Sequence, residues 1–184
     1  MTAGGLPLLR GSGLAKIYGN LVALDDTDFA VNPGEVRALI GSNGAGKSTL
    51  IKILTGAVTP TRGSVEISGQ IAPLGDPSEM IRRGVACIYQ HSNLAPAMSA
   101  LDNIYLGRQP TRRFGFVDTR RQRLEAEKLL AHHGIDIDLD ARVGTLSTVK
   151  QKEVEILKAL ALDARVILMD EPTGWPAGAG VARL

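Results

Sequence analysis

Gly41-Ser42-Asn43-Gly44-Ala45-Gly46-Lys47-Ser48 stands between two patterned stretches of unlike period. Before it runs Val36-Arg37-Ala38-Leu39-Ile40, with the length and content of a buried strand. After it, Leu50, Ile53, Leu54 and Ala57 recur at three- and four-residue steps from Lys47, the spacing of an amphipathic helix that Gly56 would help to end. The eight residues therefore occupy a strand-to-helix junction and match G-x-x-x-x-G-K-[ST]. Glycines let the backbone turn sharply so that successive N–H groups converge on an anion, and the following helix adds its partial positive end. The pattern predicts a phosphate cradle. Gly41, Ser42, Asn43, Gly44, Ala45 and Gly46 form the loop, and Lys47, Ser48 and Thr49 open the helix. Lys47 would reach the β- and γ-phosphates, and the Ser48 hydroxyl would hold Mg²⁺.

On either side of the loop, apolar runs bounded by Gly, Pro, Asn or Asp alternate with helical patterns, which points to an α/β domain. Leu8 to Val31 reads as short strands around a turn at Gly19-Asn20, with Asp25-Asp26 opening a second turn. Asn32-Pro33-Gly34-Glu35 is a further turn. Downstream, Ser64-Val65-Glu66-Ile67-Ser68 alternates like an edge strand, Glu79 to Arg83 reads as a short helix, and Val85 to Tyr89 as a second buried strand. From about 92 to 150 the strand signals fade into a helical insertion. There Asp118 or Thr119 caps a helix running to Gly134. Ser147 caps another, with Val149, Ile156, Leu157 and Leu160 on one face. A strand returns at Arg165-Val166-Ile167-Leu168-Met169.

The 184 residues give room for one domain, taken as 1–184 with the insertion inside it. With 44% hydrophobic and 22% charged residues, composition excludes disorder, and a net charge of +2 implies no polyanion partner. Cys87 is the single cysteine and is expected to be an inert core residue, so no internal disulfide framework exists. Met1 to Pro7 carries no basic segment followed by an apolar stretch, and no run approaches the ~18 apolar residues of a membrane-spanning helix. Arg112, Arg113, Arg120, Arg121 and Arg123 form a basic cluster with little aromatic interleaving, read as a solvated helical face rather than a nucleic-acid patch. His132 and His133 end a helix, where partial positive charge suits the dipole.

Asp170 and Glu171 follow the last apolar strand, at the carboxyl end where α/β sheets place ligand chemistry. Beside a phosphate loop, Asp170 would hold Mg²⁺ and Glu171 would polarise the attacking water. From Leu8 to Thr173 the order of these motifs resembles the ATP-binding subunits of ABC transporters. The resemblance implies a P-loop NTPase fold with an N-terminal antiparallel β subdomain and a helical insertion. By the same resemblance Gln90 matches the glutamine loop that contacts Mg²⁺ and senses the permease, and Tyr18 the aromatic that stacks on adenine. Leu146-Ser147-Thr148-Val149-Lys150-Gln151 lies where the L-S-G-G-Q signature belongs, with Ser147 directed at ATP held by an opposing subunit.

Gln90 to Leu94, Asp102 to Arg108 and Val154 to Leu160 are similar to segments of ribose-, galactose- and xylose-type importers. A subunit of that kind uses ATP and Mg²⁺ on the inner face of the cell membrane. Its partners are transmembrane permease subunits, a second ATP-binding domain and, indirectly, an external sugar-binding protein. Three departures stand against the family pattern. Val149 and Lys150 replace the second glycine and the glutamine of the signature, where a β-branched residue resists positive φ. Gly174-Trp175-Pro176-Ala177 replaces the segment that crosses to the partner. The switch histidine and the last sheet strands are not found. Hydrolysis by this length of chain is therefore open, with a nucleotide-binding fragment as the alternative to a transport ATPase. A soluble ABC-type ATPase acting on ribosomes or DNA is disfavoured by the charge.

Overall fold

A computed structural model describes residues 6–89 and 92–170. The chain divides into two compact units, Met1–Cys87 with Ala164–Asp170, and Ile88–Asp163 with Glu171–Leu184.

In the first unit, β1 (Leu9–Tyr18) and β2 (Leu21–Val31) form a hairpin across the two residues Gly19 and Asn20. β3 (Arg62–Ile67) pairs antiparallel with the other edge of β1, and the two-residue β4 (Gln70–Ile71) follows, giving the order β2-β1-β3-β4. Leu9 sits opposite both Val31 and Ile67, so one register buries three apolar side chains together. Asp25-Asp26 is not a second turn. β2 continues through it as an irregularity, with Asp26 at φ 35 and the β1–β2 register shifting between Leu14 and Lys16. An extra residue on one strand leaves a bulge rather than a reversal. β3 is flanked by β4 and is not the outermost strand.

α1 (Lys47–Leu54) packs on β1 and β2 through Leu50, Ile51, Ile53 and Leu54. It stops three residues short of Ala57, with Thr55 as its C-cap. α2 (Pro77–Arg82) begins with Pro77 in its first turn, and the Asp76 carboxylate caps it by accepting from Glu79 N–H at 3.0 Å. β5 (Val85–Ile88) and β6 (Val166–Met169) form a separate two-stranded sheet. Leu9, Leu14, Ile53, Leu54, Val65 and Met80 are fully buried in this unit's core, each contributing about 1.5–3 kcal/mol against exposure. Cys87 lies against that core but is only half-buried.

The buried strand expected at Val36 to Ile40 is not there. Val36 is 97% exposed and Ile40 94% exposed, and only Leu39 touches the core. Among the described residues no backbone group of 36–40 is hydrogen-bonded. A strand apolar on both faces needs neighbours on its edges and cover on its faces. Among the described residues the other strands of that kind, β5 and β6, pair with each other.

The second unit is helical: α3 (Ala100–Ile104), α4 (Thr119–His133) and α5 (Thr148–Leu160) surround Ile104, Ala126, Val143, Val154 and Leu157. Asp118 caps α4 by accepting from Arg121 N–H, and Gly134 at φ 62 ends it. Buried Asn103 holds the chain before α3: its amide accepts from Ala95 N–H at 2.7 Å and donates to the carbonyls of Ala95 and Ser99. Val149 lies partly exposed on α5, whose buried face is carried by Val154, Ile156 and Leu157 instead. Arg112, Arg121 and Arg123 pair with Asp118, Glu125 and Asp140, a solvated set of ion pairs on and beside α4. His132 and His133 meet edge to face at 4.8 Å in its last turn. Burial and then the neighbouring His132 push the His133 pKa down.

Candidate nucleotide site

The loop from Gly41 to Gly46 turns on an Ala45 N–H bond to the Ser42 carbonyl at 3.2 Å. Gly46 sits at φ 84, and a Cβ there would lie 2.6 Å from the Ala23 carbonyl oxygen and 3.0 Å from Leu24 Cδ1. The loop is therefore wedged against β2, and only glycine fits the wedge. Gly44, at φ 83, faces open space. Ala23 and Leu24 are the positioning residues that the motif does not contain; no local sequence signal marks them, because the contact is made by a strand some twenty positions upstream.

Gly46 offers α1 no side-chain cap, and the first helical N–H to find a helical acceptor is that of Leu50, at 2.8 Å from the Gly46 carbonyl. The N–H groups of Lys47, Ser48 and Thr49 are left without helical partners, and the first turn contains no acidic residue. This end of α1 carries roughly half a positive charge with nothing on the helix to offset it. Lys47 Nζ folds back to the carbonyls of Gly41 at 2.8 Å and Ser42 at 2.9 Å. Its ammonium is thus held at the loop, among groups that an anion's oxygens can replace.

Ser48 Oγ donates to Asp170 Oδ1 at 3.0 Å. These residues are 122 positions apart, joined by the start of α1 and the end of β6. A hydroxyl and a carboxylate oxygen suit a hard cation that keeps most of its waters and binds a phosphate as well, which is the habit of Mg²⁺. No group of three or more His, Cys, Asp or Glu able to hold a metal exists among the described residues. The donor set fits Mg²⁺ on a nucleotide and does not fit a closed protein cage.

Tyr18 ends β1, half-exposed, with Lys16 Nζ 4.9 Å from its ring centroid, in the same unit as the loop. Ser147 belongs to the helical unit, where it caps α5 by accepting from Lys150 N–H at 3.3 Å. Gln151 donates to the Leu146 carbonyl at 2.9 Å, and Lys150 Nζ to the Asp136 carbonyl at 2.9 Å. Val149 is an ordinary first-turn helical residue without positive φ, so the substitution for glycine brings no backbone strain. Gln90, Glu171 and the segment from Gly174 to Leu184 lie outside the described residues. No helix among the described residues is long and apolar enough to cross a membrane.

The ABC transporter family pattern matches residues 24–174. A ribose import ATP-binding protein of Rubrobacter xylanophilus is 48% identical over 167 residues, which is 91% of this chain and 33% of that protein. An arabinose import ATP-binding protein of Yersinia pestis is 44% identical over 167 residues, covering 91% of this chain and 32% of that one. The chain thus spans about a third of the length of the curated relatives it matches. Among solved structures, a nucleotide-free ATP-binding cassette of an ABC transporter superposes with a TM-score of 0.78 at 28% identity, covering 94% of this chain and 72% of that chain. A dimeric cassette in a post-hydrolysis state bound to ADP and Pi gives 0.75 at 26% identity, covering 94% and 78%. With its mixed α/β fold, phosphate loop and helical unit, the chain belongs to the ABC transporter ATP-binding family.

Proposed function

We propose that the chain is the ATP-binding part of an importer for a monosaccharide, coupling ATP binding and hydrolysis to passage through a membrane permease. The observation that carries this reading is the convergence of Lys47, the uncapped α1 N-terminus and the Ser48–Asp170 pair at one loop. The import names of the relatives support the sugar class.

In this mechanism the loop N–H groups and Lys47 take the phosphates, and Lys47 gives up its two carbonyl acceptors to do so. Ser48 and Asp170 would hold Mg²⁺, which would supply neutralisation of the phosphate charge. Gln90 would add a ligand to the metal, and Glu171 would polarise the attacking water. Tyr18 stacks on adenine. Ser147, at the α5 N-terminus, meets ATP bound by a second ATP-binding domain, so that two copies or two domains close around the nucleotide. The permease and its external sugar-binding protein select the sugar. The site works on the inner face of the membrane.

The deciding measurement sets nucleotide affinity against steady-state phosphate release, with Lys47→Ala as control. Turnover above the control supports the transport ATPase. Binding without turnover supports the second reading, a domain that holds ATP without efficient hydrolysis. No MgATP binding above the control overturns both.

A further inference from the structure

Tyr18 is the last residue of β1, half-exposed, and Gly19 follows it at φ 57 into the two-residue hairpin loop. A ring so placed has little around it to choose its rotamer. Opposite it in register stands Leu21, also exposed, and residues directly opposite on an antiparallel pair share a face. Lys16 precedes Tyr18 by two residues on the same strand and so lies on that face too. Its ammonium stands over the Tyr18 ring, 4.9 Å from the centroid, within the range at which an aromatic face attracts a cation. The ammonium is itself anchored, because Nζ donates to the Thr59 carbonyl at 2.7 Å. The same turn grips β1 on either side of Lys16: Thr61 N–H donates to the Ala15 carbonyl at 2.7 Å, and Ile17 N–H to Thr61 Oγ1 at 3.0 Å. That turn follows α1, to which Val58 N–H ties it through the Lys52 carbonyl at 3.0 Å, and α1 begins at the phosphate loop. A second route to the loop runs through β2. The register passes from Leu24 opposite Lys16 to Val22 opposite Ile17, and the residue skipped is Ala23, whose carbonyl wedges Gly46. Both routes converge on the strand end that carries Tyr18.

We propose that Lys16 is a positioning residue for the nucleotide base. Its ammonium, anchored by Thr59, holds the Tyr18 ring at a fixed place relative to the phosphate loop and occupies one face of it, leaving the other face for the base. The proposal rests on Tyr18 as the residue that stacks on adenine. Preorganisation is the physical gain: a ring already ordered loses less rotamer freedom when a base lands on it. The contribution is confined to the base, because Nζ is committed to a carbonyl and a ring rather than to phosphate.

The test is titration calorimetry on the whole chain with MgATP and with magnesium tripolyphosphate, which has the phosphates and no base. Lys16→Met is expected to weaken MgATP about two- to fivefold, the size of an exposed cation–ring contact, and to leave tripolyphosphate unchanged. Lys16→Arg, which can keep both the carbonyl and the ring contact, should retain MgATP affinity; Lys16→Gln, a second uncharged variant, should lose it as Lys16→Met does. Tyr18→Leu should weaken MgATP about tenfold, and adding Lys16→Met to it should bring no further loss. A Lys16 that serves only the fold would weaken both ligands together and add its loss to that of Tyr18→Leu, which overturns the inference. So does a Lys16→Met chain that binds MgATP as tightly as the unaltered chain or more tightly, the latter being the mark of an ammonium that blocks the ring. The two failures are distinguishable. If Tyr18→Leu leaves MgATP affinity intact, the stacking reading fails and the inference goes with it. If Tyr18→Leu weakens MgATP and Lys16→Met does not, only the inference fails.

Discussion

At the scale of single residues, the loop separates steric from electrostatic demands. Gly44 and Gly46 share nearly the same φ, but only Gly46 has a carbonyl 2.6 Å from where a Cβ would stand. Gly44→Ala should cost about 1 kcal/mol of backbone strain, and Gly46→Ala about 2–3 kcal/mol because β2 must also move. Urea midpoints with unchanged slopes would measure both, and equal losses would show that the wedge against Ala23 carries no weight. Lys47 and Ser48 separate by chemistry instead. Lys47→Ala removes a charge-assisted bond of about 1.5–3 kcal/mol, a loss of roughly ten- to a hundredfold in nucleotide affinity with or without Mg²⁺. Ser48→Ala should abolish only the Mg²⁺-dependent increment. Titration calorimetry with and without the metal checks this, and an increment that survives in Ser48→Ala would remove Ser48 from the metal site.

At the scale of elements, the helical unit shows what buried polar groups cost when their partners go. Asn103 makes one bond in and at least two out while fully buried, so Asn103→Ala leaves the Ala95 N–H unpaired before α3, while the Ala95 carbonyl keeps the Met98 N–H, and should cost about 1–3 kcal/mol. Lys158 behaves in the opposite sense. Burial, and then the nearby Arg108 charge, lower its pKa, with Glu155 opposing. The folded state therefore sheds that proton before the unfolded chain does. The cost is fully present at neutral pH, and stability rises with pH in the window just below the ordinary lysine value. Lys158→Met should raise the urea midpoint at pH 7 and flatten that alkaline rise; a variant with the same rise would assign it to another group. Elements of this kind are legible wherever the signal is local: Gly19-Asn20 for the hairpin, Asp118 and Ser147 for the helix starts. Asp25-Asp26 misleads because a bulge and a turn use the same residues, and only pairing with β1 distinguishes them. Val36 to Ile40 misleads for a different reason, since apolar content specifies a strand that wants cover but not whether cover is supplied.

At the scale of the whole molecule, the candidate site is legible to the extent that it is contiguous. The loop and α1 could be read from eight residues, and the 122-residue reach from Ser48 to Asp170 only from the order of motifs. Ala23, which shapes the loop through its backbone, could not be read at all. The two units offer a way to test the site without relying on turnover. A ligand that binds only the folded loop stabilises it by RT ln(1 + [L]/Kd), about 2.7 kcal/mol at a hundredfold excess over Kd, or about a hundredfold slower exchange. MgATP should therefore slow exchange at the buried α1 amides Leu50 to Leu54 by that factor. Leu157→Ala, in the core of the helical unit, should cost about 2–5 kcal/mol there and leave the α1 increment in place. Lys47→Ala should keep the basal α1 exchange and lose the increment. If α1 amides in the unaltered chain ignore saturating MgATP, the loop does not bind nucleotide, whatever its sequence matches.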